Sequence, residues 1–351
     1  MKILHLPTST AGFASGLSFV EQRKGYHSDV MIRDNNKYSY PVSHKLNSSN
    51  NSYLLKLWNQ FKAFLKIRKE YDVYHFNYGT SLLDFYFIGL PLLDFPFYKG
   101  KKIITFNGSD ARGWAFPIYK DSTAQFLDDA YKSDRLIQIK RFFHFTKFRK
   151  IESIADHIFA VNPDLLRFLP KGSTFLPYLI SNWYSIHRIP FILNKKIKIV
   201  HSPTNRKLKG SDFIIKAINK LCSEFSNVEF VLVENLKHED ALEVYKTADI
   251  VIDQVLIGWY GGFGVEVMKM GKPLAVFIRE EDLKYLPNQM AQDLKESIIN
   301  IDAFNIYESL KKILLNPDLL LEKSKKGHAY VNKWHDPEYV HKLVADKYLS
   351  S

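Results

Sequence analysis

The stretch IGWYGGFGVEVMKMGKPLAVF, Ile257–Phe277, decides how the chain is read. Gly258, Gly261, Gly262 and Gly264 crowd a turn between a strand-like run and a helical pattern. Such a turn lacks the side chains that hold an anion away from backbone N–H groups, and the helix start adds partial positive charge. Glu266 is expected on the first turn of that helix, where a carboxylate can accept two hydrogen bonds from vicinal hydroxyls such as those of a ribose. The same residues also fit a tight packing turn, with Glu266 as an N-terminal charge favoured by the helix dipole. Both readings stand at this level.

Outward from this segment, short apolar runs alternate with helical patterns, as βαβ units and parallel sheets require. The expected strands of the first half are Lys2–Leu6, Ser28–Arg33, Val73–Phe76, Lys102–Phe106 and His157–Val161. Those of the second half are Lys198–His201, Val228–Glu234, Ile250–Gln254, Pro273–Ile278 and Ser297–Ile301. At 351 residues the chain exceeds one ordinary core. The expected fold class is therefore α/β, with two Rossmann-like, doubly wound parallel-sheet domains over residues 1–180 and 181–336. Leu176–Lys196, interrupted by Pro177 and Pro190, is read as the connection. Ligands of open α/β sheets bind beyond the carboxyl ends of the strands. That rule selects Thr8–Gly16, Asn77–Leu82 and Asn107–Arg112 in the first half, and Ser202–Gly210, Asn235–His238 and Leu256–Glu266 in the second.

Composition narrows the partners. A hydrophobic content of 46% supports folded domains, and the single cysteine, Cys222, excludes an intramolecular disulfide or a cysteine-cluster metal site. That usage fits a reducing, cytoplasmic setting. The start MKILHLPTSTAGF reads as a first strand, since its apolar run ends at Pro7, too soon for a signal peptide or a membrane span. Residues 1–180 carry 25 Lys+Arg against 15 Asp+Glu, and residues 181–351 carry 24 against 22, so the first half holds +10 of the net +12. Two stretches there suggest peripheral contact with an anionic membrane. In Tyr53–Glu70, Leu54, Leu57, Trp58, Phe61, Phe64 and Leu65 recur at helical spacing among Lys56, Lys62, Lys66, Arg68 and Lys69. In Arg135–Lys150, six basic residues mix with four phenylalanines. A core-facing helix with a solvated basic face is the plainer alternative. Nucleic acid is not expected as a partner, because no nucleic-acid-binding module accompanies the charge.

HSPTNRKLKGSD, His201–Asp212, follows an expected strand and precedes the amphipathic helix Phe213–Phe225. Arg206 and Lys209 thus stand near a helix start, where cations oppose the dipole but make sense as counter-charges to phosphate. A solvated basic loop is the alternative. The Lys-Gly of this segment, YKTADIVIDQ at Tyr245–Gln254, and a glycine turn running into Glu-x-Met-x-x-Gly-x-Pro together resemble the retaining GT-B glycosyltransferases of family four. YHFNYGTSLL, Tyr74–Leu83, and FNGSDAR, Phe106–Arg112, resemble that family's HFHFG and HGSD-R segments. ADHIFAVNPDLLRFLP resembles the strand closing its N-terminal domain, so the likeness runs over nearly the whole chain.

The resemblance implies a GT-B fold, with two domains facing across a cleft and a final helix, 337–351, packing back on the first domain after a hinge near Trp334–Pro337. It implies transfer of a sugar, with retention, from a UDP- or GDP-linked donor to a glycan or lipid-linked acceptor in surface polysaccharide or glycolipid synthesis. Glu266 would hold the donor ribose and Lys209 the diphosphate, with Arg206 replacing an arginine whose usual place is taken by Pro203 and Thr204. Gly12, Thr204, Asn205, Tyr260, Gly261, Gly262 and Phe263 complete the donor side. His75, Asn77, Asn107, Gly108, Ser109, Asp110 and Arg112 form the acceptor or sugar side. Two positions depart from the pattern. Gly258 stands where the family's first motif glutamate would be, leaving Asp253 as the nearest acidic candidate for the transferred sugar. Asn107 stands where the family often has a histidine, whose backbone carbonyl accepts from the sugar. No metal or cofactor is expected, since no Asp-x-Asp motif is present; Arg206, Lys209 and the amides of Gly261–Phe263 would meet the leaving-group charge. Gly258 and Asn107 also motivate a non-catalytic GT-B partner subunit. A GT-B sugar epimerase acting without an external acceptor is a further reading.

Overall fold

Alternating apolar residues build two parallel sheets in the computed structural model, which describes residues 1–34, 40–85, 88–112, 126 and 146–350. Two units result: Met1–Phe116, Asp134–Trp183 and Pro337–Ser351 form one, and Pro117–Ser133 and Tyr184–Asp336 the other.

In the first unit the strands are β1 (Lys2–Leu6), β2 (His27–Ile32), β3 (His44–Lys45), β4 (Val73–Asn77), β5 (Lys101–Phe106), β6 (His157–Ala160) and β7 (Thr174–Phe175). They pair in parallel in the order β3-β2-β1-β4-β5-β6-β7. Leu4, Leu6, Tyr74, Phe76, Ile104 and Phe106 pack with Phe64 and Ile67 of the helix Tyr53–Ile67 and with Phe95 and Tyr98. On the opposite side of the pleat, where an apolar lining is the rule, the strands carry His5, His75 and Thr105.

These buried groups form a hydrogen-bonded seam. His75 Nε2 lies 2.6 Å from Thr105 Oγ1, and its Nδ1 lies 2.7 Å from the hydroxyl of Tyr348, which donates to Glu21 over 3.1 Å. Glu21, from the helix Phe13–Arg23, also accepts from Ser28 and sits 2.8 Å from His5 Nε2. Burial holds the His75 imidazole well below its ordinary value, so the seam is stable with an uncharged ring. Tyr348 belongs to the last helix, Pro337–Leu349, which is thereby tied to this unit. A buried network of this kind, in which only His5 Nδ1 lacks a partner among the described residues, gives the helix one seat.

In the second unit β8 (Ile197–His201), β9 (Val228–Leu232), β10 (Ile250–Ile252), β11 (Leu274–Val276) and β12 (Ile299–Asn300) pair in parallel in the order β12-β11-β10-β8-β9. Strand order reverses at β8, which has β9 on one side and β10 on the other. The last three strands are shorter than their apolar runs because the side chains that follow serve the loops. Gln254 donates from Nε2 to the carbonyls of Trp259 and Phe277, and its Oε1 accepts from Leu256 and Ile257 N–H. One buried amide thus frames the glycine turn. The two-residue edge strands β3 and β7 were not among the expected strands, being too short to show a period.

Candidate functional site

The crevice beyond the carboxyl ends of β8 and β10 is the switch point of the second sheet, and the charged residues gather there. After β8 a single helical turn, Arg206–Lys209, is capped by Asn205 Oδ1, which accepts from Leu208 N–H at 3.1 Å. It ends at Gly210, whose φ of +71° opens a new helix, Ser211–Glu224. A Cβ at Gly210 would stand 2.5 Å from Val255 Cγ2, so only glycine lets this loop press against the exit of β10. The Lys209 carbonyl accepts from Val255 N–H at 3.1 Å and fixes the approach. Lys209 Nζ is then ion-paired with Asp253 Oδ1 and lies 6.0 Å from the centre of the Phe263 ring.

The glycine turn meets the same carboxylate. Gly261 N–H points at Asp253 Oδ2 over 3.4 Å, and the helix Gly262–Lys269 starts there with no side-chain cap. Nothing lies within 4 Å of a Cβ built on Gly261, so there is room in front of the helix start. Glu266 is the fifth residue of this helix and sits on its second turn, not the first as expected, because the helix begins only at Gly262. Its Oε1 lies 2.9 Å from Nε2 of His238, at the start of the helix His238–Lys246. Burial lowers the His238 imidazole below its ordinary value, so at neutral pH it is an uncharged donor to Glu266. Tyr245 closes the wall, its ring 5.1 Å from Phe263 and its hydroxyl donating to Ser202 at 2.7 Å.

Several expected donor residues have other duties. Tyr260 is enclosed, its hydroxyl 2.6 Å from Tyr330 and 2.7 Å from His335 Nε2, so it anchors the turn from behind and faces no ligand. Asn205 uses its acceptor as a cap, while Thr204 is exposed. Arg206 forks onto Glu234 through Nε at 2.7 Å and Nη2 at 2.5 Å. The cations do not oppose the dipole of the long helix, because they lie on the preceding turn. Asp253 is fully buried and directed at Lys209 and Gly261, so the role expected for it beside the transferred sugar gives way to holding the cation. Gly258 has φ +87°, and a Cβ there would stand 2.3 Å from Arg279 Nη1. A glutamate at that position would be strained and would collide with the Arg279 guanidinium, which donates to the Ile257 carbonyl at 3.0 Å.

The acceptor-side expectations belong to the first unit and need more correction. His75 is sealed in the seam beneath the sheet and reaches no ligand. Asn77 is buried and its Nδ2 donates back to the His75 carbonyl at 3.1 Å. Asp110 accepts from the N–H groups of Asn107 and Gly108, and burial pushes its carboxyl up to about 6 against the pull of those bonds. Arg112 forms a buried two-bond pair with Asp164, at 2.6 and 2.9 Å, so Asp110 and Arg112 fold the loop instead of facing substrate. Asn107 accepts from Tyr78 N–H, and its carbonyl accepts from Asn162 Nδ2 at 2.9 Å. Ser109 is exposed, with its hydroxyl 2.7 Å from that of Tyr78. Gly12 starts the helix Phe13–Arg23 with φ +76°, and its missing side chain makes room for Ser181. Residues 135–145 of the second basic stretch lie outside the described residues.

Glu234 and His238 were given no role by sequence reasoning. Both follow β9, within or beside a rim segment the strand-end rule selects, but their partners Arg206 and Glu266 are 28 residues away in each case and no local spacing announces the pairing.

No protein-family model matches the chain, and no curated protein matches it either. Solved structures do. The Anabaena protein HepE, in complex with UDP-glucose, superposes with a TM-score of 0.61 at 10% identity over 99% of this chain and 98% of that one. Sucrose-phosphate synthase from Thermosynechococcus elongatus gives 0.58 at 16% identity over 99% and 98%. A UDP-GlcNAc 2-epimerase from Neisseria meningitidis, bound to UDP-GlcNAc, gives 0.53 at 14% identity over the full length of both chains. At these identities the likeness is one of fold, and the fold is GT-B: two Rossmann-like parallel-sheet units in one chain.

Proposed function

We propose that the chain is a glycosyltransferase that moves a sugar from a UDP- or GDP-linked donor to a glycan or lipid-linked acceptor, with retention and without a metal. One observation carries this reading: Lys209 and the uncapped helix start at Gly261 converge on the Asp253 carboxylate at the switch point of the second sheet. A cation and backbone amides aimed at one anionic group are what a diphosphate needs. Donor binding would exchange the carboxylate for phosphate oxygens. As the anomeric bond breaks, negative charge grows on the departing diphosphate, and Lys209 with the Gly261–Phe263 amides stabilises it without reorganisation. Arg206 joins them by leaving Glu234. Glu266 exchanges His238 for the two hydroxyls of the donor ribose, and the leaving phosphate takes the acceptor's proton.

A lipid-linked acceptor fits the surface of the first unit. Along the helix Tyr53–Ile67, Leu54, Trp58, Phe61 and Leu65 form one stripe at 77, 52, 40 and 49% exposure, beside Lys62 and Lys66. Lys62 Nζ sits 5.0 Å over the Trp58 ring. The helix buries only Gln60, Phe64 and Ile67, so its apolar stripe is not the core-facing one. An aromatic stripe with a basic border suits the interface of an anionic bilayer. The proposed contact is peripheral and on the cytoplasmic side, a compartment that a single thiol, Cys222, suits; no helix among the described residues is long and apolar enough to cross a membrane.

Calorimetry with a panel of UDP and GDP sugars, followed by turnover with the best binder, tests the reading. Lys209→Ala and Glu266→Ala should each weaken donor binding by about 10- to 100-fold, the range for a lost charge-assisted hydrogen bond. Unchanged affinity in both would remove the site. Gly258, closed off by Arg279, favours a second reading, a partner subunit that binds donor without using it. Donor binding with no transfer and no hydrolysis would select it, and a free epimerised sugar would select an epimerase.

A further inference from the structure

The opposite end of the second sheet carries a second concentration of positive charge. Lys195, Lys196 and Lys198 flank the start of β8, Lys246 precedes β10 and Lys272 precedes β11, and together they line an open cavity of about 520 Å³. Glu229 is the one carboxylate in that lining, against five lysines. It is shared by Lys196 and Lys198 at 3.6 and 3.5 Å, while Lys246 turns to Glu243 outside the cavity. Lys272 is only 6% exposed, and its ammonium lies 5.8 Å from the centre of the Phe191 ring. The buried Asp249 lies in its field, but that carboxylate is committed to Asn194 Nδ2 at 2.9 Å and Lys198 N–H at 2.8 Å. Ile189, Pro190 and Ile192 supply apolar wall, which lowers the local dielectric and strengthens any ion held there.

We propose that this cavity is a second anion site, for a compact, multiply charged phosphate group. Five cations around one carboxylate repel one another, and Lys272 is desolvated with no ion pair among the described residues; a ligand bearing two or more negative charges relieves both costs at once. It is distinct from the carboxyl-edge site, because the strand residues Ile199–His201 lie between Lys198 and the loop bearing Lys209, at about 3.3 Å per residue. The phosphate can come from a soluble diphosphate or from a lipid headgroup.

Inorganic pyrophosphate, titrated by calorimetry into the full chain at constant ionic strength, is the probe. Lys209→Ala should leave binding at the lysine cavity intact, whereas Lys272→Gln and the exposed-site variant Lys195→Gln should each raise its Kd at least fivefold, and the double variant more. The double variant should keep the circular dichroism spectrum and the nucleotide-sugar affinity of the parent, which separates this site from the proposed donor site. Vesicles containing phosphatidate form the second arm; capture that Lys195→Gln and Lys272→Gln weaken, with no pyrophosphate response, would assign the headgroup as source. Equal binding of both probes to parent and double variant, or loss of all pyrophosphate binding in Lys209→Ala, would overturn the proposal.

Discussion

Beyond β4 and β5 of the first unit, the polar side chains are engaged by the loop itself: Asp110 accepts from the backbone N–H groups of Asn107 and Gly108, Arg112 donates to Asp164, and Asn162 donates to the Asn107 carbonyl. Beyond β8 and β10 of the second unit, Lys209, the Gly261 amide and Glu266 are each held by a group that a ligand can replace. Both rims are polar and both follow parallel strands, yet the first is built as structure and the second as a set of exchangeable contacts. Polar residue types at a strand end therefore do not by themselves mark a binding residue. What separates the two cations is their own exposure, 16% for the Lys209 side chain against 4% for that of Arg112, since Asp253 and Asp164 are equally buried.

The sharpest way to break that contrast is Arg112→Ala. Removing one side of a buried ion pair leaves the Asp164 charge uncompensated, and the expected loss is about 3–5 kcal/mol of stability in urea unfolding. An Arg112→Ala variant that folds as well as the parent but loses donor affinity would reverse the assignment of the two rims.

Acid should weaken both units alike. Burial pushes the His75 imidazole far down and that of His201 to about 4, from an ordinary 6.5. Below about pH 6.5 the unfolded chain takes up these protons and the folded chain does not, so stability falls as pH drops from 6.5 toward 4. The slope is up to about 1.4 kcal/mol per pH unit for each ring. Glu21 acts lower: burial raises its carboxyl, His5 and Ser28 outweigh that, and the net lowering gives stability present above 4.5 that is lost as pH falls through the folded value. Thermal midpoints measured from pH 7.5 to 4.5 check this; a flat profile would contradict the buried seam.

Tyr260→Phe sharpens the contrast inside the glycine turn. It should cost about 1–3 kcal/mol, since Tyr330 and His335 lose a buried partner, and leave nucleotide-sugar affinity unchanged. The smallest expected effect is that of Asp253→Asn. Asparagine still accepts from Gly261 but no longer competes as an anion for Lys209, so pyrophosphate affinity at the carboxyl edge should rise about fivefold, on the order of 1 kcal/mol. A fall in affinity would mean that Asp253 assists the ligand instead of standing in for it.

Much of this was legible in the chain itself. Alternation and helical period located ten of the strands and both rims, because a side chain's face in a strand or helix follows from its position. The placing of Lys209, Glu266 and the glycine turn at one sheet edge was legible because each lies in the segment that connects a strand to its next helix or in that helix's first two turns. The roles of His75, Tyr260 and Arg112 were not, since each depends on a partner far along the chain: Tyr348, Tyr330 and Asp164.

The order of apolar runs, the Lys-Gly after β8 and the crowded glycines were enough to determine two parallel-sheet units and a glycine turn at a helix start, because local sterics and periodicity act over a few residues. Tertiary structure alone decided which charges are committed and which are exchangeable. Asp253 meets Lys209 across 44 positions, and the five lysines of the amino-edge cavity span residues 195 to 272. Electrostatic energy depends on distance in space and on burial, and neither is written in sequence separation.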